Sequence, residues 1–171
     1  MFVYGPALNP MTSSLHDHFM LEALKQAKIA LEKGEVPVGA VVVHKNQVIA
    51  RGYNQMQTLK DPTAHAEMIA ITQASGMLSE GKQDHRGSLE GATLYVTMEP
   101  CPMCAGALVI TKCQNLIFGA RDIKAGACES LYKITNDDRL NHRLSVIGGV
   151  RENDSKLFLQ EFFRGLRKER R

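Results

Sequence analysis

The stretch A-T-L-Y-V-T-M-E-P-C-P-M-C, residues 92–104, decides the architecture. Ala92 to Met98 is a short apolar run rich in β-formers, which reads as a buried strand. Immediately after it, Pro100 to Cys104 opens a helix expected to end near Lys112. A buried strand feeding straight into a helix is the repeating element of an α/β domain. The junction also carries chemistry. Cys101 and Cys104 are three residues apart, so they share one side of the first helical turn, and the positive end of the helix favours their thiolate forms.

Reading outward, Asp17 to Lys33 is a predicted helix with Met20, Leu24, Ala27 and Leu31 on one stripe and Gly34 ending it. V-P-V-G-A-V-V-V-H-K-N-Q-V-I-A-R-G-Y-N reads as a hairpin that turns near Lys45-Asn46-Gln47 and runs to about Tyr53. Asp61-Pro62 is a helix-start signal, and that helix is expected to reach Met77. Ser79 to Gly91 is a loop. N-L-I-F-G-A and S-V-I-G-G-V add two more strands. Ser155 to Arg167 closes the chain as a helix with Leu157, Phe158, Phe162 and Leu166 on its apolar stripe. The pattern predicts a three-layer α/β/α domain around a mixed five-stranded sheet, the first hairpin making it partly antiparallel. One domain is expected over residues 15–171, preceded by a poorly ordered extension over residues 1–14.

The composition excludes several classes. In 171 residues, 44% hydrophobic, 23% charged and 6% aromatic, there is enough apolar surface for one ordinary globular core. Disorder, collagen-like repetition and a disulfide scaffold do not fit. No apolar run approaches the roughly 18 residues that cross a bilayer, and Met1 to Pro10 lacks the basic start of a signal peptide. A cytoplasmic location and no membrane association are expected. Of the net charge of +3, the C-terminal R-G-L-R-K-E-R-R carries an excess of cations. Such a tail either sits on a phosphate backbone or is a solvated helix end favoured by the dipole.

His65-Ala66-Glu67 and Pro100-Cys101-Pro102-Met103-Cys104 are the chemically informative pair. An isolated C-x-x-C serves either metal or redox chemistry. One imidazole with two thiolates suits zinc in a tetrahedron whose fourth position is left for water, the catalytic rather than the structural arrangement. A structural site completed by Cys113 or Cys128 is the alternative; otherwise these two are small buried residues. Glu67 lies two residues from His65, and i, i+2 positions do not share a helix face, so it is a candidate proton shuttle rather than a ligand. Glu99 is the competing carboxylate, expected instead to orient the turn before Cys101. H-x-E followed by P-C-x-x-C is the zinc-deaminase signature.

At these residues the sequence resembles the cytidine deaminase-like superfamily, and within it the bacterial tRNA-specific adenosine deaminases. The closer resemblance rests on G-E-V-P-V-G-A-V-V-V, D-P-T-A-H-A-E, L-Y-V-T-M-E-P-C-P-M-C-A-G-A-L, F-G-A-R-D, N-H-R and E-F-F-R-G-L-R, spread in order from Gly34 to Arg167. It implies zinc-dependent hydrolytic conversion of adenosine to inosine at wobble position 34 of a tRNA anticodon, by a homodimer with one zinc per subunit and no organic cofactor. It implies that His65, Cys101 and Cys104 hold the metal and that Glu67 is catalytic. Asn54 resembles the asparagine that holds the target nucleoside. Ala120 and Asp122 resemble contacts to the flipped base and its neighbour. His142, Phe162, Phe163 and Arg164 resemble contacts to the rest of the anticodon stem-loop, a splayed structure whose bases can be stacked and read at their edges. Asn54 ending a strand, or Phe162 and Phe163 as core residues, are the plainer alternatives. Glu129 and Cys128 depart from the small or apolar residues expected at their positions, as Ile110-Thr111-Lys112-Cys113 departs from a commoner Ser-Arg pair. Two other functions share the zinc chemistry in whole or part: deamination of a free base or nucleoside of the guanine or cytosine type, and a non-catalytic zinc-dependent tRNA-binding subunit.

Overall fold

A computed structural model describes residues 10–169. Its sheet has five strands, β1 (Gly39–His44), β2 (Gln47–Tyr53), β3 (Ala92–Met98), β4 (Asn115–Ala120) and β5 (Ser145–Gly148), in the order β2-β1-β3-β4-β5. β1 pairs antiparallel with β2 and β3, whereas β3–β4 and β4–β5 are parallel. The expected mixed five-stranded sheet is therefore present. Lys45 and Asn46 both take positive φ (50° and 60°), the requirement of a two-residue hairpin turn, so the first turn falls where its residues indicate.

Alternation along the strands separates two cores. Ala40, Val42, Leu94, Val96, Leu116 and Phe118 face one layer with Ala70, Ile71 and Leu108, from helices α3 (Ala66–Ser79) and α4 (Pro102–Ile110). Val41, Val43, Tyr95 and Ile117 face the other with Phe19, Met20 and Leu24, from helix α1 (Pro10–Glu32). Phe158 joins that second core from helix α5 (Glu152–Glu169). Successive strand side chains point to opposite faces, and helices cover both, giving the three layers. Cys113 and Cys128 are buried in the first core, as expected of small apolar residues.

Three local expectations differ from the structure. α1 begins at Pro10 rather than Asp17; residues 1–9 of the expected extension lie outside the described residues. Asp61-Pro62 starts a turn and not a helix: Asp61 Oδ1 accepts from the amide and hydroxyl of Thr63 at 2.8 and 2.7 Å, an Asx turn satisfied within its own loop. α3 therefore starts only at Ala66, after a short helix α2 (Met56–Leu59). Leu157, assigned to the apolar stripe of α5, is 62% exposed, whereas Phe158 of the same stripe packs into the core that α1 covers, as expected.

Candidate metal centre and active site

Two helix starts build the site. His65 is the N-cap residue of α3 and Cys101 that of α4, both in extended backbone conformation. Pro102 at the first helical position leaves no amide unpaired where a free one would be an orphan. With His65 and Cys101 on caps and Cys104 in the first turn of α4, His65 turns its near ring nitrogen to the sulfurs. His65 Nδ1 is 3.6 Å from Cys101 Sγ and 3.6 Å from Cys104 Sγ. Zinc bonds of about 2.3 Å to sulfur and about 2.0–2.1 Å to nitrogen, set at the tetrahedral angle, separate N and S by about 3.5–3.6 Å. The three donors thus sit on the edges of a zinc tetrahedron, and they are the one such His/Cys/Asp/Glu group among the described residues. Cys113 and Cys128 do not join it.

The protonation pattern suits cation capture. The Cys104 thiol donates to Cys101, and this bond, helped by His65, holds the Cys101 thiol at about 4 despite burial. Cys104 is correspondingly pushed up, by that same bond and by burial, and His65 is raised chiefly by its bond to Cys101. A metal ion bound by this pair would displace the remaining thiol proton.

α3 reaches this position because β2 offers it a bare spot. A Cβ on Gly52 would collide with the carbonyl of Ala66 and come within 2.9 Å of the amide nitrogen of Ala70, so the helix start can approach the sheet only over glycine. Glu67, in the first turn, is buried. Burial raises its carboxyl pKa, against the pull of its own backbone N–H and of His65.

His65, Glu67 and Cys101 line a cavity of about 150 Å³ with Asn54, Met98, Glu99 and Asp122. A cavity of about that volume accommodates one small aromatic ring in another protein. The structure therefore brings the three expected ligands, Glu67, Asn54 and Asp122 to one place. Ala120, buried at the end of β4, accepts the Glu99 amide on its carbonyl at 2.8 Å, beside this cavity. Asp122 turns its carboxylate back on its own loop, accepting from the amides of Lys124 and Ala125.

The remaining expected residues stand apart from it. His142 Nε2 meets the Cys113 carbonyl at 2.7 Å, at the opposite end of β4. Phe162 and Phe163 pack edge to face at 5.3 Å on α5, with Phe163 46% exposed and Arg164 exposed. Phe163 shares a groove with Lys124, Lys156 and Arg167, and Lys124 belongs to the loop that Asp122 begins. Glu129 is paired with Arg121 at 2.9 Å, so its charge is met locally.

Two residues proved more engaged than sequence reasoning showed. Glu35, 1% exposed, accepts from Asn54 Nδ2 at 3.3 Å and from the amides of Gln57 and Thr58 at 3.2 and 2.7 Å. Its one signal is a carboxylate set directly before an apolar strand. Glu99 accepts from the amides of Asp122, Cys128, Glu129 and Ser130 and from the Ser130 hydroxyl. It therefore ties the ligand turn to the 122–130 loop.

Residues 13–120 match the family of the cytidine and deoxycytidylate deaminase zinc-binding region. Together with the sheet order and the His-Cys-Cys donor set, this defines the class of zinc-dependent deaminases. The tRNA-specific adenosine deaminase of Bacillus subtilis is 46% identical over 90% of this chain and 91% of its own length, and that of Aquifex aeolicus 45% identical over 88% and 95%. The chain belongs to the family of tRNA-specific adenosine deaminases. A structure from studies of A-to-I editing by tRNA:A34 deaminases at the wobble position of transfer RNA matches with a TM-score of 0.76 and 42% identity, covering 83% of this chain and 99% of that one. A guanine deaminase from Nitrosomonas europaea has the same fold at 19% identity, with a TM-score of 0.69.

Proposed function

We propose that this chain hydrolyses adenosine to inosine at position 34 of a tRNA anticodon, as a cytoplasmic homodimer with one zinc per subunit. The observation that carries the reading is the cluster of His65 with the Cys101 and Cys104 sulfurs at a small cavity that His65, Cys101 and Glu67 line. Among the described residues no helix is long and apolar enough to cross a membrane.

His65, Cys101 and Cys104 would hold the metal, whose contribution in such a site is to make water a nucleophile near neutral pH. Glu67 takes one proton of the attacking water and delivers it to a ring nitrogen, then takes the proton of the added hydroxyl and passes it to the departing amine as the C–N bond breaks. Water adds at the carbon bearing the amine and ammonia leaves, so adenosine and water become inosine and ammonia. A buried carboxyl whose pKa is raised by desolvation suits this alternation, since its proton is more easily held than that of an exposed carboxylate. Asn54, Ala120 and Asp122 would bind the flipped nucleotide in the cavity. Phe162, Phe163 and Arg164, with Lys124 beside them, would stack and neutralise the neighbouring loop. His142 belongs to the same proposal at a contact outside the base cavity.

The test is inosine formation in a panel of A34-bearing anticodon stem-loops, with free adenosine, cytidine and guanine alongside. Inosine in a stem-loop and none from free adenosine supports RNA editing. Turnover of a free base or nucleoside alone overturns the RNA assignment, and zinc-loaded protein that binds stem-loops without any turnover overturns the enzymatic one.

A further inference from the structure

Glu35 lies outside the cavity lining, yet one of its three partners is inside it. Asn54 is 4% exposed. Its backbone amide donates to the Val38 carbonyl at 3.0 Å, and its side-chain Nδ2 donates to Glu35 Oε2 at 3.3 Å. The same carboxylate receives the Gln57 and Thr58 amides, the first-turn donors of α2, which Gln55 does not cap with its side chain. An ionised carboxylate only accepts. The Asn54 amide therefore has one allowed orientation, with its NH2 toward Glu35, because the flipped form would set its Oδ1 against the carboxylate.

We propose that Glu35 is a positioning residue for the deamination: it fixes the orientation of the Asn54 amide toward the substrate and, through α2, the wall on which Asn54 sits. This rests on the function proposed above. A carboxylate that served only as a remote cap for α2 would need no contact with Asn54. A carboxylate that served only Asn54 would not also hold two amides of the next turn. Joining both makes the amide's direction a property of the loop, and geometry held this way governs reaction rates steeply.

Glu35→Gln is the informative change, because its amide is isosteric and can face Asn54 with either atom, removing the single orientation. The expected result is a fall of roughly 10- to 100-fold in kcat/KM on an A34 stem-loop, with zinc content unchanged. In an Asn54→Ala background, Glu35→Gln should add less than about two-fold, since the positioned group is gone. A full loss in both backgrounds, or wild-type kcat/KM in Glu35→Gln, overturns the proposal. The side-chain amide of Asn54, followed by ¹⁵N NMR in the substrate-free protein, gives a second readout that does not depend on the substrate. Its two protons should be well separated and slowly exchanging in the wild type, and should shift and exchange faster in Glu35→Gln. Unchanged resonances overturn the proposal whatever the RNA result. Wild-type protein that turns over no stem-loop overturns the function alone, because the NMR comparison still decides Glu35.

Discussion

Replacing Glu99 should separate its two oxygens by their work. Oε1 accepts from the amides of Cys128, Glu129 and Ser130 at 3.2, 2.7 and 2.8 Å. Oε2 accepts from the Asp122 amide at 3.1 Å and from the Ser130 hydroxyl. Glu99→Ala strips all of them. An unpaired buried donor costs about 1–3 kcal/mol. The Cys128 amide bond is buried, so about 2 kcal/mol is assigned to it, and about 0.5–1 kcal/mol to each of the three partly buried amides, which can turn to water. The expected destabilisation is about 4 kcal/mol, or a fall in Tm of about 8–16 °C for a chain of this length. Glu99→Gln keeps Oε1 and puts an NH2 at Oε2, where the Ser130 hydroxyl can reverse but the Asp122 amide cannot, so its cost is about 1–2 kcal/mol. Hydrogen bonds from Ser130, Glu129 and Asp122 overcome burial and hold the Glu99 carboxyl below its ordinary 4.5. The folded chain then binds that proton less tightly than the unfolded one. The stabilisation is complete above about 4.5 and is lost as pH falls toward the lower folded value. Thermal melts of zinc-loaded wild type, Ala and Gln variants, at pH 7 and again near pH 4, read all of this. A Gln variant as unstable as the Ala variant would refute the division of labour between the oxygens. Wild-type stability in Glu99→Ala would refute the anchoring of the loop altogether.

Glu67→Gln should lower kcat on an A34 stem-loop by about 10²–10⁴-fold, the span of general acid–base catalysis, with zinc retained; full activity in this variant removes Glu67 from the proton path. Cys104→Ala should lose bound zinc, measured by atomic absorption, and melt at a lower temperature, since metal affinity is folding free energy here. Gly52→Ala presses a methyl into the carbonyl of Ala66, so about 1–3 kcal/mol of overpacking strain is expected. Because Ala66 follows His65, zinc affinity measured by competitive chelation should fall with it. An unstrained variant with normal zinc affinity would show that α3 is free to shift.

The metal ligands were legible because their information is local: H-x-E and P-C-x-x-C each lie within one turn of chain. β4 was legible for a similar reason, an apolar run of five residues, Leu116–Ala120, bounded by polar neighbours and buried on both faces. The start of α3 was not. Asp61 and Pro62 satisfy a helix signal, and whether Asp61 caps a helix or closes a turn depends on how far Thr63 folds back. Glu35 was illegible as an anchor, and Glu99 legible only as orienting the turn before Cys101, because their backbone partners lie some 20 to 30 residues away and a backbone amide has no residue type to read. His142 carries the opposite lesson. Its motif resemblance points to RNA, while its imidazole is engaged with the Cys113 carbonyl at the other end of the strand from the cavity. Resemblance transfers a residue's identity more readily than its surroundings.

Three buried glutamates surround one cavity, and their hydrogen-bond partners sort them by role. Glu35 meets three donors and Glu99 five. Such donors fix a carboxylate in place, and for Glu99 they outweigh burial and hold the carboxyl below its ordinary range. Glu67 is set differently, at a helix start where burial acts most strongly, followed by its own backbone N–H, His65, Cys101 and the Cys104 thiol. It faces the cavity without a cage of amides, and desolvation makes protonation easier rather than harder. A proton carrier must exist in both forms during turnover, and burial that raises the Glu67 carboxyl suits it to that task. That contrast, more than its place in the H-x-E motif, is the physical reason to assign it the proton. The other two carboxylates are engaged structurally instead, Glu35 with Asn54 and the start of α2, and Glu99 with the loop that follows β4.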